Sequence, residues 1–306
     1  MLHSGSITDV KGIKVGHYTD ETNVTGCTVI LAMEGSVCGV DVRGSAPGTR
    51  ETDLLKSENL VDEVHAIVLS GGSAFGLGSA GGVMEYLRGK EVGLDTGFAK
   101  VPIVPAAVLY DLGLGNALAY PTKENGYSAC KKAVTENLQQ GRVGAGTGAT
   151  LGKALGPQFA QRGGIGTCSI KLDNGVVIGA ITAVNALGDV VDGAGDIIAG
   201  AYNNGFLDIC KSSLGKQELH GIKGANTTIG VLATNAKLTK VQANKLASVC
   251  HDGLAISIRP SHTMYDGDTY FALSTNQKDV DFTRLCTVAV SVVSKSIENA
   301  VRADDD

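Results

Sequence analysis

The sequence predicts a layered architecture of mixed helices and strands, α/β or α+β, and three observations predict it. Short β-type runs alternate with helical patterns along all 306 residues. Hydrophobic residues make up 43% of the chain and charged residues 19%, enough to build a core that offsets the ordering entropy of folding. Glycine occurs 42 times, about twice the usual frequency, while tryptophan is absent and aromatics are 5%. A core of Val, Ile, Leu and Ala with that much glycine implies tight layers and closely approaching backbones. No Gly-X-Y period is present, which excludes collagen.

Taken in order, residues 28–32 (Thr-Val-Ile-Leu-Ala) and 66–70 (Ala-Ile-Val-Leu-Ser) read as strands, each a short apolar run rich in β-branched residues. A helix follows at 79–88, and another is expected over 127–138. Residues 176–184 and 229–234 are further apolar strands. A clearer helix is expected over 239–251. Thr239 can cap it, Val241, Leu246, Val249 and Cys250 give an apolar face, and Gly253 can end it. The last helix is expected near 287–301. The most polar interior stretch, 208–226, reads as an exposed loop ending abruptly against a strand that opens Thr227-Thr228-Ile229.

The net charge of −5 argues against a general nucleic-acid or anionic-membrane binder, which would be basic. The longest apolar stretch, 101–109, carries two prolines and is far short of the roughly 20 residues of a membrane helix. The N-terminus shows no basic region followed by an apolar run, so no secretory signal is read there. Seven cysteines at wide spacing, with no C-x-x-C, read as buried reduced thiols of a cytoplasmic protein rather than a metal site or disulfide framework.

Several motifs resemble known chemistry and are set aside. Gly76-Leu-Gly78-Ser-Ala-Gly81 matches a dinucleotide fingerprint, but such a match arises easily in a glycine-rich chain, and helix–sheet packing explains it. In Gly148-Ala-Thr-Leu-Gly152-Lys153 the glycine spacing is one residue short, and Ala154 stands where a P-loop needs Ser or Thr. Ser73 in Gly71-Gly-Ser-Ala-Phe75 lacks the final glycine of a nucleophile elbow. Asp266 and Asp268 could share a divalent ion, yet no second acidic cluster or His pair stands out to complete a site. His262, four residues before Asp266, leaves a His–Asp arrangement open.

The junction Asn226-Thr227-Thr228 is different. If the 226–227 bond were broken, Thr227 would carry a hydroxyl and a free α-amine on one residue. Such an amine has a pKa of about 7.7–8.0, so a sizeable fraction is neutral at physiological pH and one residue supplies nucleophile and base.

Around that junction the chain resembles a family from end to end. The motifs are Gly39-Val-Asp-Val-Arg43-Gly-Ser-Ala-Pro47, Leu69-Ser-Gly-Gly-Ser-Ala-Phe-Gly-Leu77, Pro102-Ile-Val-Pro-Ala-Ala-Val-Leu-Tyr110-Asp111, Gly144-Ala-Gly-Thr-Gly-Ala-Thr-Leu-Gly-Lys153, Ala183-Val-Asn185, Asn226-Thr-Thr228 and Ser261-His-Thr-Met-Tyr-Asp266-Gly-Asp268-Thr269. In this order they resemble the self-cleaving N-terminal-nucleophile aminopeptidases, which include L-aminopeptidase/D-amino-acid esterases, β-peptidyl aminopeptidases and nylon-oligomer hydrolases. Thr at the cleavage position and Asp-Gly-Asp downstream resemble the nylon-oligomer (6-aminohexanoate-oligomer) hydrolase branch.

The resemblance implies an α+β, four-layer α/β/β/α sandwich, Ntn-hydrolase-like, with residues 1–306 as a single catalytic unit. It implies self-cleavage between Asn226 and Thr227, giving a large chain 1–226 and a small chain 227–306. Thr227 is then the nucleophile and Asn185 an oxyanion donor. Lys153 pairs with Asp266 and Asp268, stays charged between them and orients the Thr227 amine, and Tyr110 lines the site. No metal or organic cofactor is implied. The implied partner is a small amide or peptide substrate, and the assembly is a tetramer of cleaved heterodimers. Many family members use Ser; Thr adds a methyl group and a stiffer χ1, so no particular substrate is carried over. Two alternatives stay open: an acyltransferase resembling the self-cleaving ornithine acetyltransferases, and an uncleaved, non-catalytic relative.

Overall fold

The computed structural model describes residues 5–215, 219, 221 and 224–303. Within the polar stretch 208–226, residues 216–218, 220, 222 and 223 lie outside the described residues, as do 1–4 and 304–306.

The frame is a nine-stranded sheet that folds over on itself. Its strands are β1 (Lys14–Asp20), β2 (Thr25–Val42), β3 (Thr49–Arg50), β4 (Glu63–Ser70), β5 (Ala106–Val108), β6 (Gly164–Lys171), β7 (Val177–Asn185), β8 (Thr227–Ala236) and β9 (Thr269–Lys278). Their order is β6-β7-β8-β9-β2-β4-β5-β3, with β1 on the other edge of the first half of β2. The β8/β9 and β4/β5 pairs are parallel and the rest antiparallel. The 18-residue β2 is the bridge: its first half pairs with β1 and β4, and its second half with β9. Four helices flank it: α1 (Ser79–Arg88), α2 (Lys123–Lys131), α3 (Lys240–Ser257) and α4 (Phe282–Arg302).

Side-chain alternation along the strands turns this sheet into four layers. Ile30 and Ala32 of β2, Ile67 and Leu69 of β4, Ile181 and Ala183 of β7, Ile229, Val231 and Ala233 of β8, and Phe271 and Leu273 of β9 meet in one cluster between the two sheet halves. The alternate residues face helices. Cys27, Val29, Leu31, Ala66 and Val68 pack with Ala80, Val83 and Leu87 of α1 and Ala129 and Cys130 of α2. Ile178, Ala180, Leu232, Tyr270 and Ala272 pack under Leu246, Cys250 and Leu254 of α3 and Leu285, Val292 and Ile297 of α4. The result is the α/β/β/α sandwich expected.

Glycine allows the close layers. A Cβ on Gly39 of β2 would lie 2.2 Å from the α3 backbone at Ala243, and one on Gly166 of β6 would lie 2.2 Å from the α4 backbone at Ala300. Each expected strand lies within or one residue off an observed one, and α1 has the bounds predicted for it. The 127–138 expectation is corrected: α2 begins at Lys123, because Thr122 and Asn125 form a capping box, and ends at Lys131. Thr239 does cap α3, but the helix runs through Gly253 to Ser257. Gly253 is there for contact with α4, where a Cβ would meet Val290 O at 2.6 Å. Val241 is not part of the apolar face; it is exposed. The polar stretch opens as a one-turn helix, Ile209–Ser213, capped by Asp208. Five of the seven cysteines are buried, whereas Cys210 is exposed and Cys286 partly so. Among the described residues no helix is long and apolar enough to cross a membrane.

Candidate active site

Thr227 is the first residue of β8 and is buried, 3% exposed. Its antiparallel neighbour in β7 is Asn185, the last residue of that strand. On its other side the chain entering β9 runs parallel, with Asn226 bridged to Asp266. Three strand ends therefore deliver Asn185, Thr227 and the turn Asp266-Gly267-Asp268 to one point. The Thr227 hydroxyl donates to the carbonyl oxygen of Asn226, the residue before it. The same oxygen accepts the Gly267 backbone N–H at 2.9 Å. Gly267 sits so close that a Cβ there would be 2.8 Å from Thr227 Oγ1.

Asn185 Nδ2 donates to the backbone carbonyls of Tyr110 and Ala225, both at 3.1 Å. Its Oδ1 accepts from Thr150 N at 3.0 Å and from Lys153 Nζ at 3.0 Å. Lys153 Nζ also donates to Asn185 O at 3.2 Å and to Ala225 O at 3.0 Å. The three protons of the ammonium thus all go to neutral oxygens. Tyr110 enters the network through its backbone carbonyl.

The carboxylates are held separately. Asp268 Oδ1 accepts the Thr228 N–H at 2.7 Å, while Oδ2 accepts the backbone N–H of His262 at 3.0 Å and His262 Nδ1 at 2.9 Å. Asp266 Oδ2 accepts the Thr263 N–H at 2.8 Å and the Thr263 hydroxyl at 2.5 Å. The turn is braced from behind: Arg43 N and Gly44 N donate to Asp268 O, and Ala46 N to Asp266 O. The Gly39–Pro47 motif is thus a backbone support for the site.

The electrostatics depart from expectation in one respect. Lys153 was expected to stay charged between two carboxylates. Burial instead pulls it down to about 7, with Asp266 opposing the shift only in part. Its ammonium makes its hydrogen bonds to Asn185 and Ala225 rather than to either acid. Asp266 is pushed up to about 6, first by burial and then by the adjacent Asp268, with Thr263 and Lys153 opposing. Burial thus brings a lysine and an acid at the site toward neutrality from opposite sides.

All the expected residues therefore gather at the 226–227 junction, although Tyr110 contributes a carbonyl and Lys153 bonds neither Asp266 nor Asp268. The open His–Asp arrangement exists, but His262 bonds Asp268, not Asp266. Sequence reading missed the Gly267 N–H, because a backbone donor leaves no residue-type signal. It also missed Asp111, which the Pro102–Asp111 motif contains. Buried beside the site, Asp111 accepts Gly72 N at 2.7 Å and the Thr25 hydroxyl at 2.7 Å, and burial raises its pKa. It thereby fixes the 71–73 turn that looked like a nucleophile elbow. Among the described residues no group of three or more His, Cys, Asp or Glu is arranged to hold a metal ion.

The comparisons with known proteins agree with this fold. A model described as Peptidase family S58 matches residues 5–306. An uncharacterized aminopeptidase of Mycobacterium leprae is 40% identical, over 98% of this chain and 87% of its own. The 6-aminohexanoate-oligomer endohydrolase of Paenarthrobacter ureafaciens is 33% identical, over 90% of this chain and 76% of its own. Among solved structures, the L-aminopeptidase D-Ala-esterase/amidase of Ochrobactrum anthropi, described as a variant of the Ntn-hydrolase fold, superposes with a TM-score of 0.75 at 22% identity. That alignment covers 97% of this chain and 86% of the other. With that fold and a family match along nearly its whole length, the chain is an amide-bond hydrolase and belongs to peptidase family S58.

Proposed function

We propose that the chain cuts itself between Asn226 and Thr227, and that the new N-terminal Thr227 then hydrolyses small amides through an acyl-enzyme. The observation that carries this reading is the junction itself: the Thr227 hydroxyl touches the carbonyl group it would attack, and the Gly267 N–H already bonds that carbonyl's oxygen. Attack forms the bond from Oγ1 to the Asn226 carbonyl carbon, the hydroxyl proton passes to the nitrogen as the 226–227 C–N bond breaks, and water then hydrolyses the ester to the Asn226 carboxyl and the Thr227 hydroxyl. The Gly267 N–H meets the developing oxyanion, a contact of a kind worth about 3–4 kcal/mol.

Both flanks of the bond are pinned. Asn185 and Lys153 hold Ala225 O, and Asp268 holds Thr228 N. Cleavage frees Asn185 Nδ2 and Lys153 from Ala225, so Asn185 becomes a donor to the oxyanion of an incoming amide. Thr227 is buried in the intact chain, so displacement of the 224–226 segment is what opens the site. The freed Thr227 α-amine, with an ordinary pKa of about 7.7–8.0, is then the base that takes the hydroxyl proton in each later turnover. The aminopeptidase and 6-aminohexanoate-oligomer endohydrolase relatives support small peptides, β-amino amides or linear oligoamides as substrates. The reading includes a tetramer of processed units, which sedimentation tests directly.

Intact mass spectrometry with N-terminal sequencing tests the reading. From 31.3 kDa, scaled by length, cleavage gives pieces of about 23 and about 8 kDa, the smaller beginning Thr-Thr-Ile-Gly. The Thr227→Ala chain stays whole and inactive. A wild-type chain that stays at 31.3 kDa without turnover overturns the reading and leaves the uncleaved alternative.

A further inference from the structure

We propose that His262 is a positioning residue, which clamps Asp268 so that its other oxygen holds the strand carrying Thr227. The inference rests on the reading of Thr227 given above.

The geometry of the clamp is specific. Two donors of one residue, the His262 backbone N–H and Nδ1, converge on Asp268 Oδ2 at 3.0 and 2.9 Å. They do so because His262 has left-handed backbone, φ 55°, a conformation uncommon outside glycine and asparagine. With Oδ2 held twice, Oδ1 is aimed at Thr228 N, 2.7 Å away and one residue past the nucleophile. Asp268 is 1% exposed, so water does not compete for this carboxylate.

The partner fixes the direction of the bond. A carboxylate oxygen accepts, so Nδ1 of His262 is the donor to Asp268 Oδ2. Nε2 of His262 is buried without a hydrogen-bond partner. Beside it lies the ring of His251, with centroids 4.9 Å apart at 67°. His251 Nε2 donates to Asp41 O at 3.0 Å, its Nδ1 is likewise unpartnered, and burial pulls its pKa down to about 4. A neutral ring thus packs against His262 and leaves it Asp268 as its polar partner. An imidazole that served packing alone would not need Nδ1 on Asp268.

The test separates the Nδ1 proton from the ring. Glycine and asparagine both tolerate the left-handed backbone and both keep the backbone N–H on Oδ2. His262→Gly removes the side-chain donor; His262→Asn replaces it with an amide Nδ2 at nearly the same position. Both lose the edge-to-face contact with His251, so a packing role alone depresses the two variants equally. The expected result is a fall of about tenfold to a hundredfold in processing rate and kcat for Gly, with KM little changed, and recovery by Asn to within about threefold of wild type. If the Gly chain does not fold, Asn against Gln carries the test, because the glutamine amide lies one methylene too far and stays slow. Equal rates for Gly and wild type, or Asn as slow as Gly, overturn the proposal while the self-processing reading stands. A wild-type chain that neither cuts itself nor turns over an amide overturns that reading and this proposal together.

Discussion

Adding one methyl group at Gly267 tests the site most directly. Gly267 has no left-handed backbone requirement, so alanine introduces a Cβ without strain in φ. That Cβ would stand 2.7 Å from Ala46 O and 2.8 Å from Thr227 Oγ1, with Pro47 Cα at 3.2 Å. Two of these neighbours are backbone of the bracing segment, held by the Ala46–Asp266 hydrogen bond, and the third is the nucleophile. Carbon–oxygen contact needs more than 3 Å, so the Thr227 hydroxyl turns away or the 266–268 turn retreats. Either motion separates Oγ1 from the Asn226 carbonyl or draws Gly267 N off its oxygen. A displacement of about 1 Å at a reacting centre costs on the order of a hundredfold in rate. The steric cost to stability is about 1–3 kcal/mol, because the clash is local. Self-processing is followed by mass over time and turnover on an amino amide, with Gly193→Ala as control; a Cβ there meets nothing within 4 Å. Gly267→Ala is expected to process at about a hundredth of the wild-type rate while still folding. Processing at the wild-type rate would refute the placement of the Thr227 hydroxyl against this turn.

Two further outcomes are expected. Asn185→Ala removes the amide proposed to meet the oxyanion and lowers kcat by about a hundredfold to a thousandfold; it also strips Thr150 N of its acceptor, at a cost of about 1–3 kcal/mol in denaturant unfolding. An unchanged kcat removes Asn185 from the catalytic set. Asp266 titrates near 6 in the folded chain against 3.8 unfolded, so the fold favours its protonated form. Stability from that difference is present below pH 3.8 and is lost as pH rises to about 6. In a Thr227→Ala background, which keeps the bond whole, Asp266→Asn should gain on its parent across that window by up to about 3 kcal/mol, at 1.36 kcal/mol per unit. A pH-independent gap in urea midpoints refutes the buried, acid-repelled placement of Asp266.

What the sequence showed and what it hid divide along physical lines. The strands at 66–70, 176–184 and 229–234 were visible because runs of β-branched and aliphatic residues buried on both faces have few other uses. The four layers were not visible in periodicity. They follow from β2 being long enough to serve both sheet halves, and the 28–32 core of that strand says nothing about its length. Gly253 misled because a glycine near a helix end and a glycine at a helix–helix contact look alike in one dimension. At the site, the family resemblance pointed to Thr227, Asn185 and the two acids, but not to their connections. Lys153 shows why: beside two acids a lysine reads as an ion pair, yet its three protons are taken by Asn185 and the Ala225 carbonyl, and burial decides its pKa.

The Ala225 carbonyl connects processing with turnover. On the proposed reading, the intact chain is its own first substrate, and Ala225 O occupies the two side-chain donors, Asn185 Nδ2 and Lys153 Nζ, that a later amide would use. The Asn226 carbonyl instead rests on the Gly267 N–H, a donor that is present whether or not the chain has been cut. Self-cleavage therefore depends first on Gly267 and the Thr227 hydroxyl, and later turnover adds Asn185 once Ala225 has left. The two steps share a nucleophile but not the full set of donors. Asn185→Ala is then expected to slow turnover more than it slows processing, whereas Gly267→Ala slows both. Equal loss in both steps for Asn185→Ala would mean that its amide already serves the Asn226 carbonyl in the uncut chain, which is not where the hydrogen bonds of the intact site put it.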